Sequence, residues 1–312
     1  MQTIKPDTAL KVFFKNSIRV ADLLNGCFFH GHDIVLKEDI IMADGEESHI
    51  INDKTQRRYR DSMMQIKVDG EDVLIAIEHQ MRNDPSMVLR SLEYDYLSYR
   101  KQWDTHPIKP SRRVLKPIIT FVIHWGNGNF HGKKELGKIV SRVPKTLEKY
   151  YNNYEMNFVD IKDVDVNLFH DEDVRSAVNL IQRIYKAKRK NYKEVLKDVY
   201  VNKEVLSFVS IITNIEALYE MAQQREESEM IDMCQAFKEL MRDSREEGII
   251  LGKREGKREG KLQGKEETTV NALQNMTKKL NISLIEAMDI LEVPYKQRER
   301  IQSLVEIKLG VL

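Results

Sequence analysis

Alternating apolar and polar residues in the first quarter of the chain predict a β-hairpin. The first strand alternates Met64, Ile66 and Val68 with polar neighbours. The dipeptide Asp69-Gly70 supplies a tight turn, and residues 73–77 form a second run without a polar side chain. A run this apolar is typical of a central strand buried on both faces.

Two carboxylates lie at matching ends of this hairpin. Asp61 precedes the first strand and Glu78 ends the second. Because strand side chains alternate, we expect Glu78 and Gln80 to share a face while His79 points away. A surface acid is the ordinary explanation for either residue alone. Together they favour a cation site, because a bare buried charge is costly.

The remaining periodicity predicts helices around one further strand. Apolar spacing of three and four residues predicts helices over 7–24 and 87–103, the second with Arg90 on its outer face. A strand is predicted after them, over 117–125. Beyond about residue 165 the pattern is helical, with predicted helices at 174–192, 203–219 and 227–242. Two or three short helices are predicted within 268–309, with breaks near Asn281 and at Pro294 and with Ser283 as a candidate cap.

Glycine recurs every fourth residue in a charged segment, at Gly248, Gly252, Gly256, Gly260 and Gly264. On a helix each step advances about 40° beyond a full turn, so the glycines would form a slowly winding groove. Each would cost a helix on the order of 1 kcal/mol relative to alanine. We therefore expect a homo-oligomer formed through this repeat and the C-terminal helices, with a solvated tether as the alternative.

Composition narrows the classes of protein. The 50 Lys+Arg and 49 Asp+Glu of this 312-residue chain nearly cancel, so DNA contact would have to come from local patches. Two distant cysteines, the absence of a signal-like N-terminus and the absence of a long apolar run favour a cytoplasmic protein without a membrane partner. No P-loop or dinucleotide motif is present, so we expect no nucleotide cofactor.

The pattern Asp61 followed by Glu78-His79-Gln80 resembles the PD-(D/E)xK nuclease core, in the form seen in the recombination-promoting nuclease / putative transposase family, where E-x-Q often replaces E-x-K. Residues 17–25 resemble that family's first helix, 116–126 its later core strand, and the Gly-Lys-Arg-Glu units its C-terminal repeats. The resemblance implies an α/β fold with a restriction-endonuclease-like αβββαβ core, a central mixed sheet flanked by helices, followed by an α-helical C-terminal region.

The resulting division of the chain has four parts. We expect a nuclease-like core over 1–165, an α-helical region over 166–245, a repeat helix or tether over 246–266, and a small helical segment over 267–312.

The resemblance also implies a divalent-metal site. Asp61 and Glu78 would hold Mg²⁺, for which Mn²⁺ would substitute, with the backbone carbonyl of His79 as a further ligand, because magnesium prefers oxygen donors. Gln80 would act as a catalytic residue by orienting a water through hydrogen bonds, whereas the lysine of E-x-K would bring a positive charge. We expect slower chemistry or a stronger dependence on the metal.

A third acid is often part of such sites. Asp7 is the first candidate because it opens the predicted first helix, although a helix N-terminus favours an acid for electrostatic reasons alone. Asp39 is a second candidate with no stronger claim.

A basic cluster offers phosphate contacts. Lys186, Lys188, Arg189 and Lys190 would bind the DNA backbone without sequence preference. The alternative is a solvated helix face.

Two functions follow from these patterns. The first is a Mg²⁺-dependent DNA endonuclease, linked to DNA recombination or to the movement of mobile elements. The alternative is a catalytically weak or inactive protein that keeps the nuclease fold and acts as a DNA- or protein-binding scaffold.

Overall fold

The structure is a computed structural model that describes residues 4–43, 46–51, 54–59, 61–187 and 191–309. The strands are β1 (Ile41–Met42), β2 (Glu46–Ile51), β3 (Lys54–Tyr59), β4 (Ser62–Val68), β5 (Glu71–Gln80), β6 (Ile118–His124), β7 (Asn157–Asp160), β8 (Tyr200–Val201) and β9 (Ile231–Asp232). The helices are α1 (Pro6–Phe13), α2 (Ser17–Phe28), α3 (Met87–Thr105), α4 (Glu172–Lys186), α5 (Tyr192–Val195), α6 (Lys203–Thr213), α7 (Glu216–Gln223), α8 (Met233–Leu280), α9 (Leu284–Ile290) and α10 (Tyr295–Leu309).

The chain forms two compact units, Met1–Lys238 and Glu239–Leu312, whose boundary falls within α8. In the first unit a five-stranded sheet has the order β1-β4-β5-β6-β7. The pairs β1–β4 and β4–β5 are antiparallel, whereas β5–β6 and β6–β7 are parallel. This mixed sheet confirms the predicted α/β class and the central place of the apolar second strand. The four-part division of the chain stays a prediction.

The predicted hairpin is confirmed together with its turn. Strands β4 and β5 pair from Ser62 opposite Ile77 to Val68 opposite Glu71. The two turn residues, Asp69 and Gly70, have φ angles of 50° and 83°. Positive φ at both positions is the geometry that a two-residue hairpin turn requires, because it matches the twist of the strands.

Helices cover both faces of the sheet. On one face Val122 of β6 packs with Met87 and Val88 from the start of α3. On the opposite face Phe14 and Phe208, the second from α6, lie against residues at the ends of β5 and β6. The sheet is therefore buried on both sides, which accounts for the continuous apolar run in β5.

Several predicted helix bounds are wrong. The single helix expected over 7–24 is two helices, because Asn16 caps α2 by accepting a hydrogen bond from the Ile18 N–H. The helix expected over 203–219 is broken at Asn214, whose φ of 55° is left-handed. The helix expected over 174–192 ends earlier than predicted, at Lys186. The helix expected over 227–242 begins later than predicted, at Met233.

The second unit is built from three helices. Apolar residues of α8, α9 and α10 share one core that includes Leu273, Met288 and Ile301. Ser283 forms a capping box with Glu286 at the start of α9, as the sequence predicts. Among the helices in the described part of the chain, none combines the length and the apolar character needed to cross a membrane.

The glycine repeat lies inside α8, a single helix of 48 residues. A methyl group built on any of its five glycines meets no described atom within 4 Å. We expect the triple variant Gly252→Ala, Gly256→Ala and Gly260→Ala to stabilise the second unit by roughly 2 kcal/mol, because alanine restricts the unfolded chain more. Thermal circular dichroism with mass measurement in solution checks this. A lower melting temperature with a smaller particle mass would instead show that a second copy fills the glycine groove.

Candidate active site

The structure brings Asp61 and Glu78 together. Asp61 stands one residue before the Ser62–Ile77 pair, so it lies opposite Glu78 across the hairpin. Side chains opposite each other on antiparallel strands have Cβ atoms about 5 Å apart, within reach of one ion. The backbone N–H of His79 donates a hydrogen bond of 2.9 Å to Asp61 Oδ2, which orients this carboxylate.

This end of the sheet is largely shielded from solvent. Glu78 is 1% exposed and Gln80 is 8% exposed. Burial raises the pKa of the Asp61 carboxyl above its ordinary value, while the hydrogen bond from His79 and the charge of Lys11 offset part of that rise. Lys11 Nζ lies 3.7 Å from Asp61 Oδ1. The ionised form of Asp61 is therefore held at an electrostatic cost that a bound cation would remove.

The side chain of His79 points to the opposite face, as the alternation predicts. Its Nδ1 accepts a hydrogen bond of 2.9 Å from Trp125 Nε1, and its ring stacks on Phe14. Burial lowers the pKa of His79 to about 3, so the imidazole is neutral at physiological pH. His79 thus faces the candidate site only through its backbone.

A cation that the sequence analysis assigned to the outer face acts electrostatically on the two carboxylates. Arg90 Nη1 donates to Asp84 Oδ2 at 2.9 Å, and its guanidinium lies over the Tyr94 ring. Burial opposes its charge, but hydrogen bonds with Tyr94 and Asp84 and the charge of Glu78 raise the pKa of Arg90 above its ordinary value. Arg90 is partly exposed, in line with its predicted outward placement, but helical periodicity does not reveal what a neighbouring strand end presents to it.

A second pair was missed at the same edge of the sheet. Gln80 neighbours His124 in the β5–β6 register, and His124 neighbours Asp160 in the β6–β7 register. His124 Nδ1 lies 3.0 Å from Asp160 Oδ2, and Lys162 Nζ lies 3.6 Å from the same oxygen. The signal was present, since polar residues that follow apolar parallel strands meet at one edge.

The other predicted site residues belong to helices and turns outside the hairpin. Asp7 is in the first turn of α1, one turn before Lys11, and its charge acts on His79. Asp39 ends a short 3₁₀ turn and is half-buried. Lys186 is exposed at the end of α4, whereas 188–190 lie outside the described residues. Their functional roles stay predictions.

The donor set at the hairpin fits a hard divalent cation. Asp61 and Glu78 contribute carboxylate oxygens from adjacent strands, and the Glu78–His79 backbone runs beside them. Within the described ranges, no three His, Cys, Asp or Glu side chains form a metal-binding group. A Mg²⁺ ion here would complete its shell with backbone oxygen and water, as this ion commonly does.

The raised pKa of Asp61 predicts a pH-dependent change in stability. At neutral pH and in EDTA, we expect Asp61→Asn to raise the free energy of unfolding by about 1 kcal/mol, because the buried charge is removed while the amide oxygen still accepts from His79. As pH falls through the raised pKa, the wild-type carboxyl takes up its proton and the difference disappears. Urea denaturation between pH 4 and 8 measures it; a variant less stable at pH 7 would contradict the expectation.

Comparison with known proteins places the chain in a family. No curated protein and no solved structure matches it. A family model described as "Putative transposase, YhgA-like" matches residues 6–207. This range covers well over half of the chain and contains Asp61, Glu78 and Gln80. The chain therefore belongs to the family of YhgA-like putative transposases.

Proposed function

We propose that this chain is a metal-dependent DNA endonuclease that hydrolyses phosphodiester bonds, with a role in recombination or in the movement of mobile elements. The observation that carries the proposal is the placement of Asp61 opposite Glu78, with Gln80 on the same face as Glu78. Membership of a putative transposase family agrees with chemistry on DNA.

The arrangement of elements supports a PD-(D/E)xK core. Helices α1 and α2 precede the antiparallel strands β1, β4 and β5, and α3 then leads to β6, which pairs in parallel with β5. Apart from the separate β2–β3 hairpin between β1 and β4, this is the helix, three strands, helix, strand order that the resemblance implies, with the two carboxylates at the hairpin end.

In the proposed reaction, water attacks the scissile phosphorus and the bond to one sugar oxygen breaks, leaving a phosphate monoester and a hydroxyl. A bound Mg²⁺ supplies polarisation of the phosphate and acidifies a water molecule. Asp61 and Glu78 would hold the ion, and the His79 N–H keeps Asp61 oriented. Gln80 positions the attacking water through its amide, without adding charge.

A scaffold function is the second candidate, and Gln80 is the observation that favours it. A neutral amide at the position of the lysine in E-x-K removes a charge from the site. A scaffold would bind DNA in a salt-sensitive manner without cutting it.

Nicking of supercoiled plasmid decides between the two. Wild-type protein is incubated with Mg²⁺, Mn²⁺ or EDTA beside an Asp61→Asn/Glu78→Gln double variant purified in parallel. The endonuclease hypothesis predicts open-circle product from wild type with either metal and none with EDTA or from the double variant. Equal traces from both proteins would reveal a contaminant and favour the scaffold.

A further inference from the structure

The E-x-Q face lacks the positive charge that a lysine at position 80 would supply. Phosphoryl transfer develops negative charge on the phosphate oxygens, so such sites gain from a fixed cation nearby. Gln80 is 8% exposed and carries no charge. A cation for this face must therefore come from another element.

Helix α3 covers the face in question. Glu78 is the register partner of Val122, so the two side chains point to the same side of the sheet. Val122 packs against Met87 and Val88 of α3. Arg90 follows Met87 by three residues and so lies one turn further along the same side of the helix.

One edge of the Arg90 guanidinium is fixed by hydrogen bonds, and further N–H groups remain as donors. Its Nη1 donates to Asp84 at 2.9 Å, and its Nη2 makes a long contact of 3.5 Å with the Tyr94 hydroxyl. A guanidinium has five N–H groups. In the described part of the chain these two acceptors leave three donors, and the side chain remains 37% exposed.

Arg90 and Lys11 belong to different helices. Arg90 lies on α3, which packs on Val122, the register partner of Glu78. Lys11 acts on Asp61, but it extends from α1, the helix beside His79 on the other face. Arg90 is thus a described cation on the α3-covered face that Glu78 and Gln80 share, whereas Lys162 is held farther along the sheet edge by Asp160.

We propose that Arg90 is the phosphate-binding cation of this site and supplies the positive charge that Gln80 lacks. The assignment rests on the proposed nuclease function. Asp84 anchors one edge of the guanidinium, and the remaining N–H groups donate to the non-bridging oxygens of the scissile phosphate. Such charge-assisted hydrogen bonds strengthen as negative charge develops on the phosphate.

Nicking rates test the assignment through rescue. We expect Arg90→Ala to slow nicking by about 100-fold, as loss of one stabilising donor typically does. In that background Gln80→Lys is expected to restore at least about tenfold, because it returns the cation to the E-x-K position. Arg100→Ala removes an exposed arginine from the far end of α3, paired with Asp104, and should stay within about twofold of wild type.

Binding measurements give a readout that does not depend on turnover. Arg90→Ala should bind Mn²⁺ about three- to tenfold more tightly, because a like charge that acts on the carboxylates is gone. The same variant should bind a DNA duplex more weakly in EDTA, with a salt slope reduced by about one. A misfolded protein would lose both affinities, so opposite shifts identify the charge itself.

The outcomes separate this inference from the function on which it rests. If wild type cuts and Arg90→Ala cuts equally well, the assignment of Arg90 is overturned while the nuclease proposal stands. The same follows if Lys11→Ala, and not Arg90→Ala, slows nicking in a way that Gln80→Lys restores. If wild type cuts nothing, the nuclease proposal fails. The binding data then decide on Arg90, since unchanged Mn²⁺ and DNA affinities overturn the assignment and opposite shifts support it.

Discussion

Glu78→Gln is expected to lower metal-dependent nicking by at least about 10³-fold, which corresponds to roughly 4 kcal/mol of lost transition-state stabilisation. Glutamine has nearly the same shape as glutamate but presents only one acceptor oxygen and no charge. Since Glu78 is 1% exposed, solvent cannot replace the missing oxygen. The initial rate of plasmid nicking, followed over a Mg²⁺ titration, measures the effect.

The position of Glu78 on its strand offers a matched control. Glu71 begins the same strand β5, is exposed, and lies opposite Val68 at the turn end of the hairpin. Glu71→Gln makes the same chemical change far from the site and should leave the rate within about twofold. A Glu78→Gln variant that keeps more than a tenth of the wild-type rate would remove Glu78 from the proposed metal site.

Gly126→Ala is expected to destabilise the first unit by about 3 kcal/mol, with a fall in melting temperature of roughly 5–10 °C. A Cβ atom at this position would lie 2.3 Å from the carbonyl oxygen of Met81 and 2.9 Å from His124 Nε2. A backbone oxygen cannot rotate away as the end of a side chain would, so the chain after β5 must move. Calorimetric melting measures the loss.

The same substitution should disturb the site. Trp125 N–H donates a hydrogen bond of 2.7 Å to the Gln80 carbonyl, next to the crowded contact between Gly126 and Met81. Displacement of Met81 therefore shifts Gln80, and we expect nicking to fall as well. Gly128→Ala is the control, because a methyl there meets nothing within 4 Å. Equal melting temperatures for the two variants would show that the loop yields without cost.

The hairpin and its acids were within reach of sequence reasoning because they depend on local rules. Strand alternation, an apolar run and a turn dipeptide together set the register of β4 and β5, and that register places Asp61 opposite Glu78. Family membership, matched over residues 6–207, agrees with the resemblance that the E-x-Q pattern carries.

The neighbours of that hairpin were not predictable in the same way. The His124–Asp160 pair arises because β6 pairs with β5 and β7 pairs with β6. The sequences of these strands do not by themselves specify the register of either pair. The two-helix start of the chain was missed because the cap at Asn16 interrupts a periodicity that looks continuous. The outward placement of Arg90 did not reveal its neighbours, because a helix pattern separates apolar from polar positions without showing which polar side chain meets a strand end.

The sequence by itself determined the hairpin register, the α/β class, the helical character of the second half and the pairing of Asp61 with Glu78. The register, the helical character and the pairing follow from side-chain periodicity and turn geometry, which act over a few residues, whereas the α/β class is what the family resemblance implied. Only the tertiary structure decided that Arg90 pairs with Asp84, which polar residues complete the sheet edge and how deeply Glu78 is buried. Those features come from the docking of α3 and β7 onto the sheet, where contacts between distant segments select one arrangement.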